Sequence, residues 1–434
     1  MNFSIITLFP DLYQQFTATS LIGRAVNDGL LKIQVESLLS FCSPKERIDA
    51  PTVGHGPGML LCPDIVEKAI VSAEERSGKA YRIFFSPHGQ PLTQSLLSQL
   101  FEKITSQGSH CMLLPARYEG MDARLEEEYA DIVISIGDYV LMGGDLPAMV
   151  LMEAMSRLIP GVIGSKESIE EESFSGPFMD HPHYTTPVEW HGRRIPDVLR
   201  SGNHAAQAAW RRERSIERTV FGGHFEWMRS QNLTKDDVAD AARILPHHYA
   251  ILMHTDVVVD DGRIGESSVT SLDIHDIARS AKTFGFHGYF IATPLPDQQK
   301  IVKQLLDFWH VGSGVTYNPS RHTALESTML VDSLEQAIAF ITEREGIAPL
   351  CIATSARCDE SLPVITYADQ QVVWGHKRPV LLVLGTARGL SERVLMKCDF
   401  VLQPVRGFSE FNHLSVRSAA AIIFDRWLGI KEKR

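Results

Sequence analysis

Short apolar runs, each closed by glycine or proline and followed by a helical period, recur along the first 160 residues. Asn2–Leu8 reads as a first strand, and Pro10 starts a helix carrying Leu12, Tyr13 and Phe16. Thr52–Leu61, with Gly54, Gly56 and Gly58, holds too many glycines for regular structure. Arg82–Phe85 reads as a buried strand that breaks at Ser86-Pro87-His88-Gly89, and Cys111–Leu114 as another that ends at Pro115–Gly120. Ile132-Val133-Ile134 is a third, followed by an aperiodic stretch from Ser135 to Leu141 and by Gly143-Gly144. Pro147 then suits the first turn of a helix that runs through Met149, Leu151, Met152, Met155 and Leu158 to Pro160-Gly161. Strands that end in such loops predict a parallel sheet, with ligands beyond the strand C-termini, where 86–89, 115–120 and 135–144 converge on one pocket. No G-x-G-x-x-G follows the first strand, which removes the main support for an ordinary dinucleotide fold.

Further along, residues 161–178 are polar and acidic, the pattern of a solvated tether or a lid. Residues 179–245 have helical composition, with Trp210, Ile216 and Val220 as expected core contacts and a capping-box pattern at Thr234. Residues 246–434 return to α/β alternation. Ala250–Met253, Tyr289–Ala292 and Val380–Leu384 read as strands, with capping patterns at Thr270 and Ser333.

Composition narrows the class. The 434 residues, 44% hydrophobic and 22% charged, fit a soluble protein of several domains. No run is long and apolar enough to span a bilayer, and Met1–Pro10 lacks a basic n-region, so a cytoplasmic location and no membrane partner are expected. Six cysteines form no C-x-x-C pair, which suggests neither a metal site nor a disulfide framework. The net charge of −11 argues against a chain coated in nucleic acid, but Trp190–Arg218 carries seven arginines against three acidic residues. That local +4 is either a solvated helix face or a phosphate-binding surface.

The string Ser135-Ile136-Gly137-Asp138-Tyr139-Val140-Leu141, then Gly143-Gly144 and Leu146-Pro147-Ala148-Met149, with Ser156-Arg157 and Ile159-Pro160-Gly161-Val162 behind it, resembles the bacterial tRNA (guanine-N1)-methyltransferases. The resemblance implies a trefoil-knotted, parallel-sheet SPOUT domain over 1–160, an interdomain lid over 161–178 and a small all-helical tRNA-binding domain over 179–245. It also implies S-adenosyl-L-methionine as methyl donor, tRNA as partner, a homodimer with shared active sites, and room for Mg2+. Gly385–Ser391 and Asn412–Ala421 resemble loops of a second α/β SPOUT-like domain over 246–434, in which Gly385 and Gly389 allow close approach and Asn412 or Ser415 supplies hydrogen bonds.

Methylating guanine N1 needs a base for the N1 proton and a cation for the charge that builds on O6. By resemblance, Arg157 is that cation, Glu119 an essential carboxylate, and Asp180 a neighbour of the donor's methionine end. The base falls on Glu172, where the family has aspartate, with Glu171 able to substitute. The donor is expected against Pro87, Gly89, Ala116, Tyr118, Gly120, Ser135, Ile136, Gly137, Asp138, Tyr139, Val140, Leu141, Gly143, Gly144 and Pro147. Nucleic acid is expected at Ser201, Asn203, His204, Arg211, Arg212 and Arg214. Two other readings stay open: a ribose 2′-O-methyltransferase of the same fold, and a non-catalytic RNA-binding descendant.

Overall fold

The computed structural model describes residues 1–164, 172–356 and 362–431, in two compact units, Met1–Glu171 and Glu172–Arg434. Glu171 lies outside the described residues.

The first unit is built on five parallel strands, β1 (Asn2–Thr7), β2 (Lys32–Ser37), β3 (Tyr81–Pro91), β4 (His110–Leu114) and β5 (Ile132–Ser135), in the order β2-β1-β4-β3-β5. Parallel neighbours need crossovers, and helices supply them on both faces. Phe3, Ile5, Ile83 and Leu113 face one layer, with α1 (Asp11–Ala18), α2 (Ser20–Asn27), α4 (Gln94–Ser106) and α6 (Asp145–Ser156). Ile6, Phe84, Met112 and Leu114 face the other, with α3 (Pro63–Ser77) and α5 (Ala123–Tyr129). Burial on both faces explains why β4 is apolar throughout rather than alternating.

Two expectations change. The glycine-rich stretch is not all loop, because Met59–Leu61 pairs antiparallel with Asp49–Pro51. Nor does β3 end at Ser86. It bulges after Phe85 and pairs with β5 again at Gln90 and Pro91, so the 86–89 loop is held at both ends.

The second unit carries a seven-stranded parallel sheet. Its strands are β6 (His248–Met253), β7 (Gly288–Ala292), β8 (Thr328–Val331), β9 (Leu350–Thr354), β10 (Val364–Ile365), β11 (Val380–Gly385) and β12 (Phe400–Leu402), in the order β8-β7-β6-β11-β9-β12-β10. The helical segment expected to stand alone over 179–245 shares this sheet's core. Ile216 and Val220 of α7 (His204–Phe221), and Phe225 and Met228 of α8 (Phe225–Met228), lie in one apolar cluster with Ala250, Leu252, Trp374 and Trp427. Buried Arg229 seals the join by donating to the carbonyls of Asp425 and Gly429 at 3.2 and 3.0 Å. Trp210 instead sits beside Tyr184, with ring centroids 6.1 Å apart.

His248 ties this core together. Its Nδ1 donates to the Pro246 carbonyl at 2.6 Å, which leaves Nε2 to accept from the indole N–H groups of Trp374 and Trp427 at 3.1 and 3.0 Å. Burial pushes the imidazole down to about 3, and burial likewise holds His254 and His287 at about 4. The unfolded chain binds these protons below an ordinary histidine value near 6.5, while the folded chain does not. Stability is therefore full above about pH 6.5 and falls as the pH drops below it. Urea unfolding followed by tryptophan fluorescence should show this loss between about pH 6.5 and 5, before carboxylates titrate, and a flat profile there would contradict it.

Candidate active site

The bulge within β3 meets the loops that follow β4 and β5. Phe85–His88, Ala116, Tyr118–Met121, Ser135–Gly137, Tyr139–Leu141, Gly143, Gly144 and Pro147 line a cleft of about 360 Å³. That volume lies within the roughly 300–1,000 Å³ usual for small-molecule sites.

The loops are locked by a buried carboxylate. Asp145, at the start of α6, is 1% exposed and accepts from Thr7 Oγ1 at 2.6 Å, Tyr13 Oη at 3.1 Å and Arg117 Nε at 2.8 Å. Burial, followed by the Asp145 charge, pushes the Tyr13 phenol well up, so it stays a donor. Arg117 also stacks on Phe9, its guanidinium 4.6 Å from the ring centroid. Next to this pair the chain closes tightly: Gly144 N–H donates to the Ala116 carbonyl at 2.7 Å. A side chain at Gly144 would come within 2.8 Å of the Ala116 nitrogen and Pro115 Cα. The sequence motifs contain Asp145 and Arg117 but assign them no role; the signal for the first is a carboxylate immediately after Gly143-Gly144.

Most of the residues expected at the donor line the cleft, but Gly89 and Asp138 do not. Gly89 serves spacing, since a Cβ there would fall 2.6 Å from the Ile134 carbonyl carbon. Tyr118 sits at φ +58 and Gly120 at φ +126, a turn that sets Glu119 against Gly58 and in the cleft wall. Tyr139, Val140 and Met142 project as an exposed apolar lip.

Within the first unit, the expected arginine lies apart from this cleft. Arg157 follows the last turn of α6, ten residues beyond Pro147, or about 15 Å at 1.5 Å per residue. It lines a separate hollow with Gln15, Phe16, Thr19, Glu153 and Val162. Glu172 and Asp180 belong to the second unit. There Phe174 packs edge-on against Trp227, with centroids 5.1 Å apart, and Phe178 is buried beneath Arg212, so this end of the expected lid is anchored. Asp180 accepts the His181 backbone N–H at 2.7 Å and faces His183 Nε2 at 2.8 Å. Partial burial opposes its ionisation, but these hydrogen bonds outweigh it and lower its pKa.

The residues expected to meet nucleic acid divide. Asn203 caps α7, accepting from Ala206 N–H at 3.1 Å, and Ser201 donates to the Val198 carbonyl. Arg212 is held by Asp237 and Asp240 at 2.5 and 3.1 Å, and Arg214 by Glu213 and Glu217 at 2.8 and 2.5 Å. His204 and Arg211 are exposed, as are Arg193, Arg194 and Arg200.

Residues 1–224 match the family described as tRNA (Guanine-1)-methyltransferase TrmD. The chain belongs to that family. Residues 247–429 match a second family, described as SAM-dependent RNA methyltransferase. The tRNA (guanine-N(1)-)-methyltransferases of Oleidesulfovibrio alaskensis and Nitratidesulfovibrio vulgaris are 40% and 39% identical to this chain over 435 and 437 residues, covering 99% of each chain. That of Neisseria meningitidis Z2491 is 41% identical over 222 residues, 51% of this chain and 87% of its own. Both family matches thus fall within this one polypeptide, and the first two relatives are similar to it over nearly its whole length.

Within this cleft, Gly144→Ala forces apart main chain that cannot yield. We expect it to cost about 1–3 kcal/mol, the usual range for overpacking. Asp145→Ala, which strands Arg117, should cost about 3–5 kcal/mol. Thermal unfolding of the two variants checks both, and a melting point unchanged for either would refute the locking role.

Proposed function

We propose that this chain is an enzyme that transfers a methyl group from S-adenosylmethionine to N1 of a tRNA guanine, the nucleoside 3′ to the anticodon. The observation that carries the reading is the convergence of the 85–88, 116–121 and 135–144 loops on one cleft with Glu119 in its wall, in a chain of this family. Main-chain groups along Ile136–Leu141 suit an adenine edge, which offers both a donor and acceptors. The reading includes the knotted passage of the chain that the family resemblance implies.

In this mechanism the donor's methyl group is displaced in line by guanine N1. Glu172 takes the N1 proton, Arg157 stabilises the charge gathering on O6, and Asp180 positions the donor's methionine end. Exposed Arg193, Arg194, Arg200 and Arg211 meet tRNA phosphates, while Arg212 and Arg214 hold the protein surface. Arg157 lies about 15 Å along α6 from the cleft of its own chain, which supports a homodimer whose partner supplies that cleft's arginine. Exposed Leu12, Leu21, Leu146 and Val150 on α1, α2 and α6 offer apolar surface for such an interface. The reaction is placed in the cytoplasm with its tRNA; no described helix is long and apolar enough to cross a membrane.

In the second unit, a cleft of about 890 Å³ lies between the 385–389 loop and the 412–416 loop. Asn412 and Ser415 line it, although Asn412 already donates to the Ala356 carbonyl at 2.9 Å and Ser415 caps a helix. We propose that it holds a second S-adenosylmethionine.

Four outcomes are expected. Nucleoside analysis of tRNA after single turnover should place the methyl group on guanine N1; a 2′-O-methyl product would favour the ribose reading. Glu172→Gln should keep donor affinity and lose about 10²–10⁴ in rate, with Glu171→Gln nearly silent. Mixed Arg157→Ala and Glu172→Gln chains should recover activity only if the two residues serve one site from different chains. Calorimetry on the intact chain should give two donor molecules per chain, and a value of one would leave the C-terminal cleft without this ligand. The intact chain is required because α7 and α8 share the second unit's core.

A further inference from the structure

The cysteine pattern gives no reason to expect a metal, yet three other side chains able to ligate one come together where the chain enters the helical segment. The ligating atoms of Asp180, His181 and His183 all lie within 4.8 Å of one another. Asp180 faces His181 Nδ1 and His183 Nε2 at 2.8 Å each, and the two rings stand 4.4 Å apart. The backbone beneath them is fixed. Met179 N–H donates to Thr219 Oγ1 at 2.8 Å, Asp180 N–H to Ser173 Oγ at 3.1 Å, and Arg218 to the Asp180 carbonyl at 3.2 Å. A site pinned to α7 in this way does not have to be assembled by the ion. His181 is largely covered while His183 is 68% exposed, so the cluster is open to solvent on one side.

We propose that Asp180, His181 and His183 form a binding site for one divalent transition-metal ion of the zinc type, which fixes the 180–183 turn. Two imidazoles and one carboxylate suit zinc or cobalt(II), whereas Mg2+ requires an oxygen shell and does not fit this set. Zinc binds nitrogen and oxygen at about 2.0–2.1 Å, so tetrahedral ligands stand about 3.3 Å apart. Opening the two 2.8 Å contacts by roughly 0.5 Å, and drawing in the remaining ligand pair, which stands no more than 4.8 Å apart, admits the ion with water as fourth ligand. Without metal the same three groups persist as a hydrogen-bonded Asp–His pair on each side, and the experiment separates these two states.

The chelator-stripped intact protein is titrated with cobalt(II) chloride and, separately, with zinc chloride in calorimetry. One ion per chain, a tetrahedral cobalt(II) ligand-field spectrum and a raised melting temperature with zinc are expected. His181→Ala and His183→Ala should each weaken binding about tenfold or more. His181→Cys keeps a ligand, so it should still bind cobalt and add a thiolate charge-transfer band. That band also guards against loss of binding through misfolding. Absence of stoichiometric binding, binding unaffected by both alanine variants, or a cysteine variant without the new band would overturn the proposal. None of these readouts involves methyl transfer, so failure here leaves the reading of the methyltransferase cleft untouched.

Discussion

The first unit depends on the buried charge of Asp145. A carboxylate taken out of water is tolerated only when its oxygens are filled, and Thr7, Tyr13 and Arg117 fill them from three different parts of the chain. The end of β1, the first residues of α1, the loop after β4 and the start of α6 are thereby fixed at one point. The cleft is the space that this arrangement leaves. Gly143 and Gly144 belong to the same constraint, because the α6 loop can reach Ala116 and Arg117 only where no side chain intervenes.

A different solution holds the second unit. There a neutral imidazole, His248, takes the indole N–H groups of Trp374 and Trp427, so two large side chains are buried without losing a hydrogen bond. The helical segment closes over the same face through Phe225, which meets Trp374 edge-on at 4.7 Å. This packing gives the arginine-rich helix a rigid base. Along the segment Arg194, Arg200, Arg212 and Arg214 face carboxylates, while Arg193 and Arg211 are exposed.

Taken alone, the sequence determined the alternation of strand, loop and helix, because a strand buried on both faces leaves a continuous apolar run and a glycine loop interrupts every period. It therefore placed β1, β4, β5, β6, β7 and β11, and it named the three loops that line the first cleft. Short edge strands such as Val364–Ile365 carry too few residues for any period and stayed invisible.

Only the tertiary structure decided which charges face one another. Asp145 and Arg117 are 28 positions apart, and nothing local pairs one with the other. Asp180, His181 and His183 are close in sequence, but whether their side chains converge depends on the turn that α7 imposes on them. The same holds for Arg157, whose motif promised a place at the acceptor while the length of α6 carries it away from its own cleft. Periodicity reports which face of an element is buried; it carries no information on what that face meets. Partners brought together by folding follow from the crossovers of the sheet, and these the sequence pattern leaves open.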